Sequence, residues 1–160
     1  MIKMKELAKI ICGFPGVGKS TLTKNQKSLG LKIMDSDSSK FSWISPGVRN
    51  PEFPANYINH ISSNLHNADI ILVSTHKEVL DSLFKEGFQP YLVYPLIELK
   101  DEYLERFRVR GSDEKFIKLL NENWDVFIRG LMSDGRFINH IILGPGEYLS
   151  DIINKIRIGI

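Results

Sequence analysis

The chain has 160 residues, 42% hydrophobic and 25% charged, with 21 basic and 19 acidic side chains and a net charge of +2. That length supports one domain with a proper core, and the composition is ordinary for a soluble globular protein. The charge is too mild to mark a nucleic-acid binder, no run of about twenty apolar residues spans a membrane, and the lone Cys12 excludes an internal disulfide and fits a reducing cytosol.

The opening Met1-Ile2-Lys3-Met4-Lys5 faintly resembles a signal peptide, but Glu6 and Lys9 interrupt the apolar run that follows. Leu7 to Cys12 reads as a short buried strand, with Cys12 as an inert thiol inside it. Next comes Gly13-Phe14-Pro15-Gly16-Val17-Gly18-Lys19-Ser20, which fits G-x-x-x-x-G-K-[ST], the phosphate-binding P-loop. Thr21 to Lys27 reads as the first turns of a helix, so the motif has the strand–loop–helix context it needs. Gly13, Gly16 and Gly18 let the backbone point consecutive N–H groups at phosphate oxygens. Pro15, Val17 and Thr21 share that cradle. Lys19 adds a point charge for the β- and γ-phosphates, and the Ser20 hydroxyl suits Mg²⁺.

Leu31 to Met34 reads as a second strand running into Asp35-Ser36-Asp37-Ser38-Ser39-Lys40. An acidic pair at the carboxyl end of a strand is where open α/β sheets place chemistry. Asp35 or Asp37 is suited to hold Mg²⁺ through water, to take a proton from an acceptor hydroxyl, or to bind a sugar hydroxyl. The competing reading is an Asp/Ser turn that caps a helix. Trp43 to Pro54 carries three prolines and a glycine, which forbid a long regular element. Trp43, Phe53 and Tyr57 are candidates to stack on a base, and Arg49 to grip an acceptor phosphate; equally, the aromatics pin the loop to the body.

Ala55 to Asn67 has a helical stripe of Tyr57, Ile58, Ile61 and Leu65, with His60 and His66 assigned to the surface. Asp69 to Ser74 is a strand covered on both faces. Thr75 is expected to cap the helix from Lys77 to about Lys85, and His76 is a candidate substrate contact. Gln89 to Pro95 supplies a fourth strand, and Leu96 to Val109 a helix. Arg106, Arg108 and Arg110 before Gly111 suit a short lid over 106–114 that neutralises charge in phosphoryl transfer. The alternative is that cations gather at a helix C-terminus. Asp113 to Leu131 is a long amphipathic helix, Phe137 to Leu143 a last strand, and Tyr148 to Ile156 a final helix. The turn between those last two can border a nucleotide base.

Five strands separated by helices give a parallel α/β sheet. With its P-loop, its acidic pair after the second strand and its arginines after the fourth, the chain resembles the small P-loop kinases. These are the nucleoside and nucleotide monophosphate kinases, with relatives such as polynucleotide kinase, zeta toxin and gluconate kinase. Ser74 to Val79 and Glu102 to Arg106 are also similar to segments of uncharacterised phage and bacterial nucleotide-kinase-like proteins. The resemblance implies a three-layer P-loop NTPase fold spanning residues 1–160, with strand order 2-3-1-4-5 and an acceptor-binding segment within 38–67. It implies that Gly13 to Ser20 bind ATP phosphates and Mg²⁺, with Ser20 and Asp37 toward the metal. Asp37 matches the acceptor-side aspartate, while Arg106, Arg108 and Arg110 match lid arginines, Arg106 also toward the cofactor. Lys40 stands near where the hydroxyl-phosphorylating relatives carry an arginine, and the Asp-Gly-x-x-Arg signature of adenylate kinases is absent.

The expectation is a cytoplasmic, ATP- and Mg²⁺-dependent phosphotransferase acting on a nucleotide or nucleoside. Lys19, Asp37, Arg106 and Arg110 would be catalytic, and Asp35, Asp37, Trp43, Arg49, Tyr57, His76 and Arg108 would lie toward the acceptor. The alternatives are a kinase for a hydroxyl of a sugar, polynucleotide end or other metabolite, and a nucleotide-binding regulatory module with little turnover.

Overall fold

The short apolar run at the start of the chain becomes β1 (Lys9–Gly13), the centre of the sheet. A computed structural model describes residues 7–36 and 38–157. β1 lies parallel to β5 (Ile70–Val73) on one side and to β6 (Tyr91–Pro95) on the other. β2 (Ile33–Asp35) pairs outside β5, and β7 (Asn139–Leu143) outside β6, both parallel. Ile11, Cys12, Ile71, Leu72 and Val73 are fully buried, as central strands covered on both faces require.

Two further strands, β3 (Trp43–Ser45) and β4 (Val48–Arg49), form a separate antiparallel ribbon. The order along the sheet is therefore β2-β5-β1-β6-β7. It differs in numbering from the expected 2-3-1-4-5 because the ribbon enters the chain between the second and third strands of the sheet.

The first helix is shorter than the sequence implies. α1 (Lys19–Lys24) stops at Asn25 and α2 (Gln26–Leu29) follows. The Gln26 side chain spans this break, donating to the Thr23 carbonyl at 2.9 Å and accepting from the Ile33 N–H at 2.9 Å, which ties it to β2. A short α3 (Ser39–Ser42) precedes the ribbon, and α4 (Ala55–Ser63) and α5 (Lys77–Lys85) flank β5 in the chain and contact each other. α6 (Lys100–Val109) and α7 (Glu114–Met132) connect β6 to β7. α8 (Leu149–Arg157) returns against α1. Among the described residues one hydrophobic cluster runs from Ala8 to Ile156, and no helix is long and apolar enough to cross a membrane.

Candidate functional site

All five sheet strands end on the same edge, and the loop after β1 sits where the chain leaves toward β2 on one side and later crosses to β6 on the other. Open α/β sheets bind ligands at such a switch point. Gly16 and Gly18 have φ of 87° and 100°, the left-handed region that glycine enters without strain. Crowding adds a second reason: a Cβ on Gly16 would lie 3.1 Å from Tyr103 and Phe107, and one on Gly18 3.1 Å from Tyr148.

Lys19 is folded back onto the loop. Its Nζ donates to the Gly13 carbonyl at 2.6 Å and to that of Phe14 at 3.3 Å. Burial pushes its pKa down from 10.5 to about 8; the Asp35 carboxylate opposes that shift and the Arg110 guanidinium adds to it. Charges from β1's loop, β2's end and α6's end therefore meet in one space.

That space is a cleft of about 1470 Å³. It exceeds the roughly 300–1,000 Å³ of a pocket for one drug-sized ligand, so it has room for more than one small molecule. Pro15, Gly16, Gly18, Lys19, Ser20 and Thr21 line its loop side, Asp35 and His76 its floor, Trp43 and Arg49 its far wall, and Arg106 and Arg110 its α6 side. Gly13 and Val17 lie buried beneath the loop, the Val17 carbonyl accepting from the Leu149 N–H at 2.8 Å. Asp37, on which several expectations rest, lies outside the described residues.

Among solved structures, the tunicamycin resistance protein of Deinococcus radiodurans is similar to this chain. The match covers 98% of this chain and 97% of that one at 16% identity, with a TM-score of 0.63. At that identity the likeness shows the fold alone. The fold is consistent with the P-loop NTPase type. No protein-family model and no curated protein sequence matches the chain.

Several site expectations are corrected by the geometry. Tyr57 is fully buried and its hydroxyl donates to the Ser36 carbonyl at 2.6 Å, so it pins the end of β2 and is closed to a ligand. The cause is α4's apolar stripe, which turns that face inward. His60 is half-buried, not on the surface: its ring lies 4.7 Å from that of Phe41, and Nε2 is 3.3 Å from the Ser36 hydroxyl. Arg108 leaves the cleft and pairs with Glu105 at 3.4 Å in solvent. Residues 106–109 continue α6, and two positions along a helix lie about 200° apart, so Arg106 and Arg108 face opposite ways. The expected lid over 106–114 shrinks to the four-residue turn Arg110-Gly111-Ser112-Asp113 between α6 and α7. Thr75 does not cap α5; the position before its first turn is held by His76, without a side-chain bond.

Arg49 stacks over Trp43 at 5.2 Å and Phe53 at 5.4 Å and meets Glu78 at 3.4 Å. The ribbon therefore presents an aromatic–guanidinium wall. Sequence reasoning missed Lys24, Ser74, Lys77, Glu78 and Tyr148 as cleft residues. Lys24 had a usable signal, lying just over one turn beyond Ser20 on α1. Tyr148 was read as part of α8's apolar stripe, yet it precedes the helix and is 39% exposed.

Ser20 is exposed, and with Asp35 it offers a hydroxyl and a carboxylate to the cleft. Mg²⁺ takes one or two protein oxygens and completes its shell with water and phosphate, so this donor set fits a cation carried in on a nucleotide. Among the described residues no three His, Cys, Asp or Glu side chains gather as a metal cage.

Proposed function

We propose that this chain is a small, three-layer P-loop kinase that moves the γ-phosphoryl of ATP·Mg²⁺ to a nucleotide or nucleoside. The observation that carries this reading is the convergence of Lys19, Asp35 and Arg110 on one cleft large enough for two substrates. On this reading, loop amides and Lys19 hold the β- and γ-phosphates, and Arg110, which lines the same cleft and whose charge acts on Lys19, is assigned to the charge that develops on the transferring group. Mg²⁺, beside Ser20 and the Asp35–Asp37 segment, would neutralise the phosphate oxygens. The Trp43–Arg49–Phe53 wall takes the acceptor's ring.

A second reading, transfer to a hydroxyl of a sugar or other metabolite, is favoured by the floor of the cleft. The exposed Asp35 carboxylate there is able to take a proton; around it Ser36, Ser38 and Ser42 are buried, the Ser36 hydroxyl against His60 and that of Ser38 against Ser74. The solved structure of similar fold is that of a tunicamycin resistance protein, which adds tunicamycin to the acceptors worth offering.

ADP release from ATP·Mg²⁺ in the presence of nucleosides, nucleoside monophosphates, sugars and tunicamycin tests both readings. Stimulation by a nucleoside or nucleotide is expected, with loss in Lys19→Ala. Asp37→Asn then separates acceptor classes: a collapse in rate marks a hydroxyl acceptor, and weakened binding marks a phosphate. Nucleotide binding with no stimulated release by any acceptor would leave a regulatory module.

A further inference from the structure

Arg106 was expected to reach over the phosphates, but its fork is already engaged. Nη1 donates to the Gly16 carbonyl at 2.8 Å, and Nη2 to the Glu147 carbonyl at 2.9 Å and to Glu102 at 2.9 Å. The guanidinium lies 4.3 Å from the Tyr103 ring and 3.8 Å from that of Tyr148. The side chain is only 10% exposed. Glu102, one turn earlier on α6, accepts from the Gly146 N–H at 3.1 and 3.2 Å. One ion pair thus holds a carbonyl of the loop, and an N–H and a carbonyl of the turn between β7 and α8.

The Gly16–Val17 peptide is held from both ends, because the Val17 N–H donates to the Phe14 carbonyl at 3.3 Å. The next carbonyl, that of Val17, is taken by Leu149. Two consecutive carbonyls are therefore drawn toward α6 and α8, and their negative ends are bonded elsewhere than to an incoming phosphate.

We propose that Glu102 and Arg106 form a positioning pair that presets the phosphate loop against the β7–α8 turn, and that the arginine that acts on the transferring phosphoryl is Arg110, which is held only by its Nε on the Ser112 hydroxyl at 3.1 Å and by stacking 4.8 Å from the Phe107 ring. This rests on reading Gly13–Ser20 as a phosphate loop. Preorganisation of this kind appears as affinity for whatever the loop binds. A lysine cannot replace it, because a single ammonium lacks the planar fork that serves two carbonyls between two rings.

The test compares wild type with Arg106→Gln, Arg106→Lys and Glu102→Gln, titrating ADP and inorganic pyrophosphate separately and measuring ATP turnover at saturation. The pair's loss weakens ADP and pyrophosphate by the same factor, on the order of 10–100-fold. Lysine does not rescue, and kcat stays within a few-fold. Unchanged affinities with kcat reduced more than a hundredfold make Arg106 a catalytic residue and overturn the proposal. Weakening of ADP alone makes it a base contact and does the same. Glu102→Gln keeps Arg106 and its carbonyl partners, so it carries the test if the arginine variants fail to fold: a smaller loss shared by both ligands supports the pair, and wild-type affinities overturn it. If wild type itself binds neither ligand, the phosphate-loop reading falls, an outcome distinct from all of these.

Discussion

Lys19 is a cation held partly out of water before any phosphate arrives, and its pKa near 8 is the consequence. Phosphate binding needs the ammonium, so above pH 8 the free protein must take up a proton to bind. ADP affinity is expected to fall between pH 8 and 9.5, by up to about tenfold per pH unit, with proton uptake visible by calorimetry in buffers of different ionisation enthalpy. The same shift acts on stability. The folded pKa lies below the ordinary 10.5, so between pH 8 and 10.5 the unfolded chain holds more protons, and Lys19's contribution to stability rises with pH. Lys19→Met removes that burden, worth at most about 3 kcal/mol. Its stability advantage over wild type in urea should be largest at pH 7.5 and shrink by pH 10, while turnover drops about 10²–10³-fold. A variant less stable than wild type at pH 7.5 would contradict this account of the loop. The motif was legible because eight consecutive residues carry its geometry. The roles of Tyr57 and Arg106 were not, because their acceptors are carbonyls 21 and 90 positions away in the chain.

The elements read best where period and length agreed. α7 was expected from Asp113 to Leu131 and runs Glu114–Met132, its apolar stripe buried through Leu120, Trp124, Ile128 and Leu131. Asp113 is its cap, accepting from the Lys115 N–H at 2.9 Å, so Asp113→Ala should cost about 1 kcal/mol in chemical denaturation. The arginine segment read worst: the helix was expected through Val109 and ends there, but a lid over 106–114 was laid on the same residues, and a helix turns Arg106 and Arg108 to opposite sides. The ribbon of β3 and β4 was also invisible: its residues are all exposed, so no burial pattern marks them, and three prolines suggested irregular chain. Its wall gives a distinct expectation. Trp43 is 44% exposed and faces the cleft, and stacking on a base is worth about 1–3 kcal/mol. Trp43→Ala should therefore raise the acceptor KM about tenfold or more and leave ADP affinity unchanged. Equal losses for both substrates would place the ring on the donor side.

At the scale of the whole molecule, the parallel arrangement brings the ends of β1, β2 and β5 to one edge, and the site inherits the stability of the sheet it stands on. Composition and the alternation of strands and helices made that arrangement legible, because apolar runs this short, bounded by glycines and polar turns, suit strands covered on both faces. The acceptor is another matter: it is chosen by a few exposed side chains that no period constrains. Cys12 offers a way to measure the coupling between sheet and site. It lies in β1 with no exposed surface, between β5 and β6, and burial raises its pKa, so a thiol reagent should reach it only when the sheet opens. A nucleotide seated on the loop directly after β1 binds the closed form and not the open one. By mass action, ADP·Mg²⁺ at about 100 times its Kd should stabilise the closed form by about 2.7 kcal/mol and slow labelling roughly a hundredfold, provided opening and reclosing are fast beside the chemistry. Labelling that tracks the unfolding equilibrium in urea, and slows in step with ADP saturation, ties the loop to the cooperative core. Fast labelling of the native protein, indifferent to ADP, would mean that β1 opens locally and that the loop is anchored by α6 and the β7–α8 turn more than by the strand that leads into it.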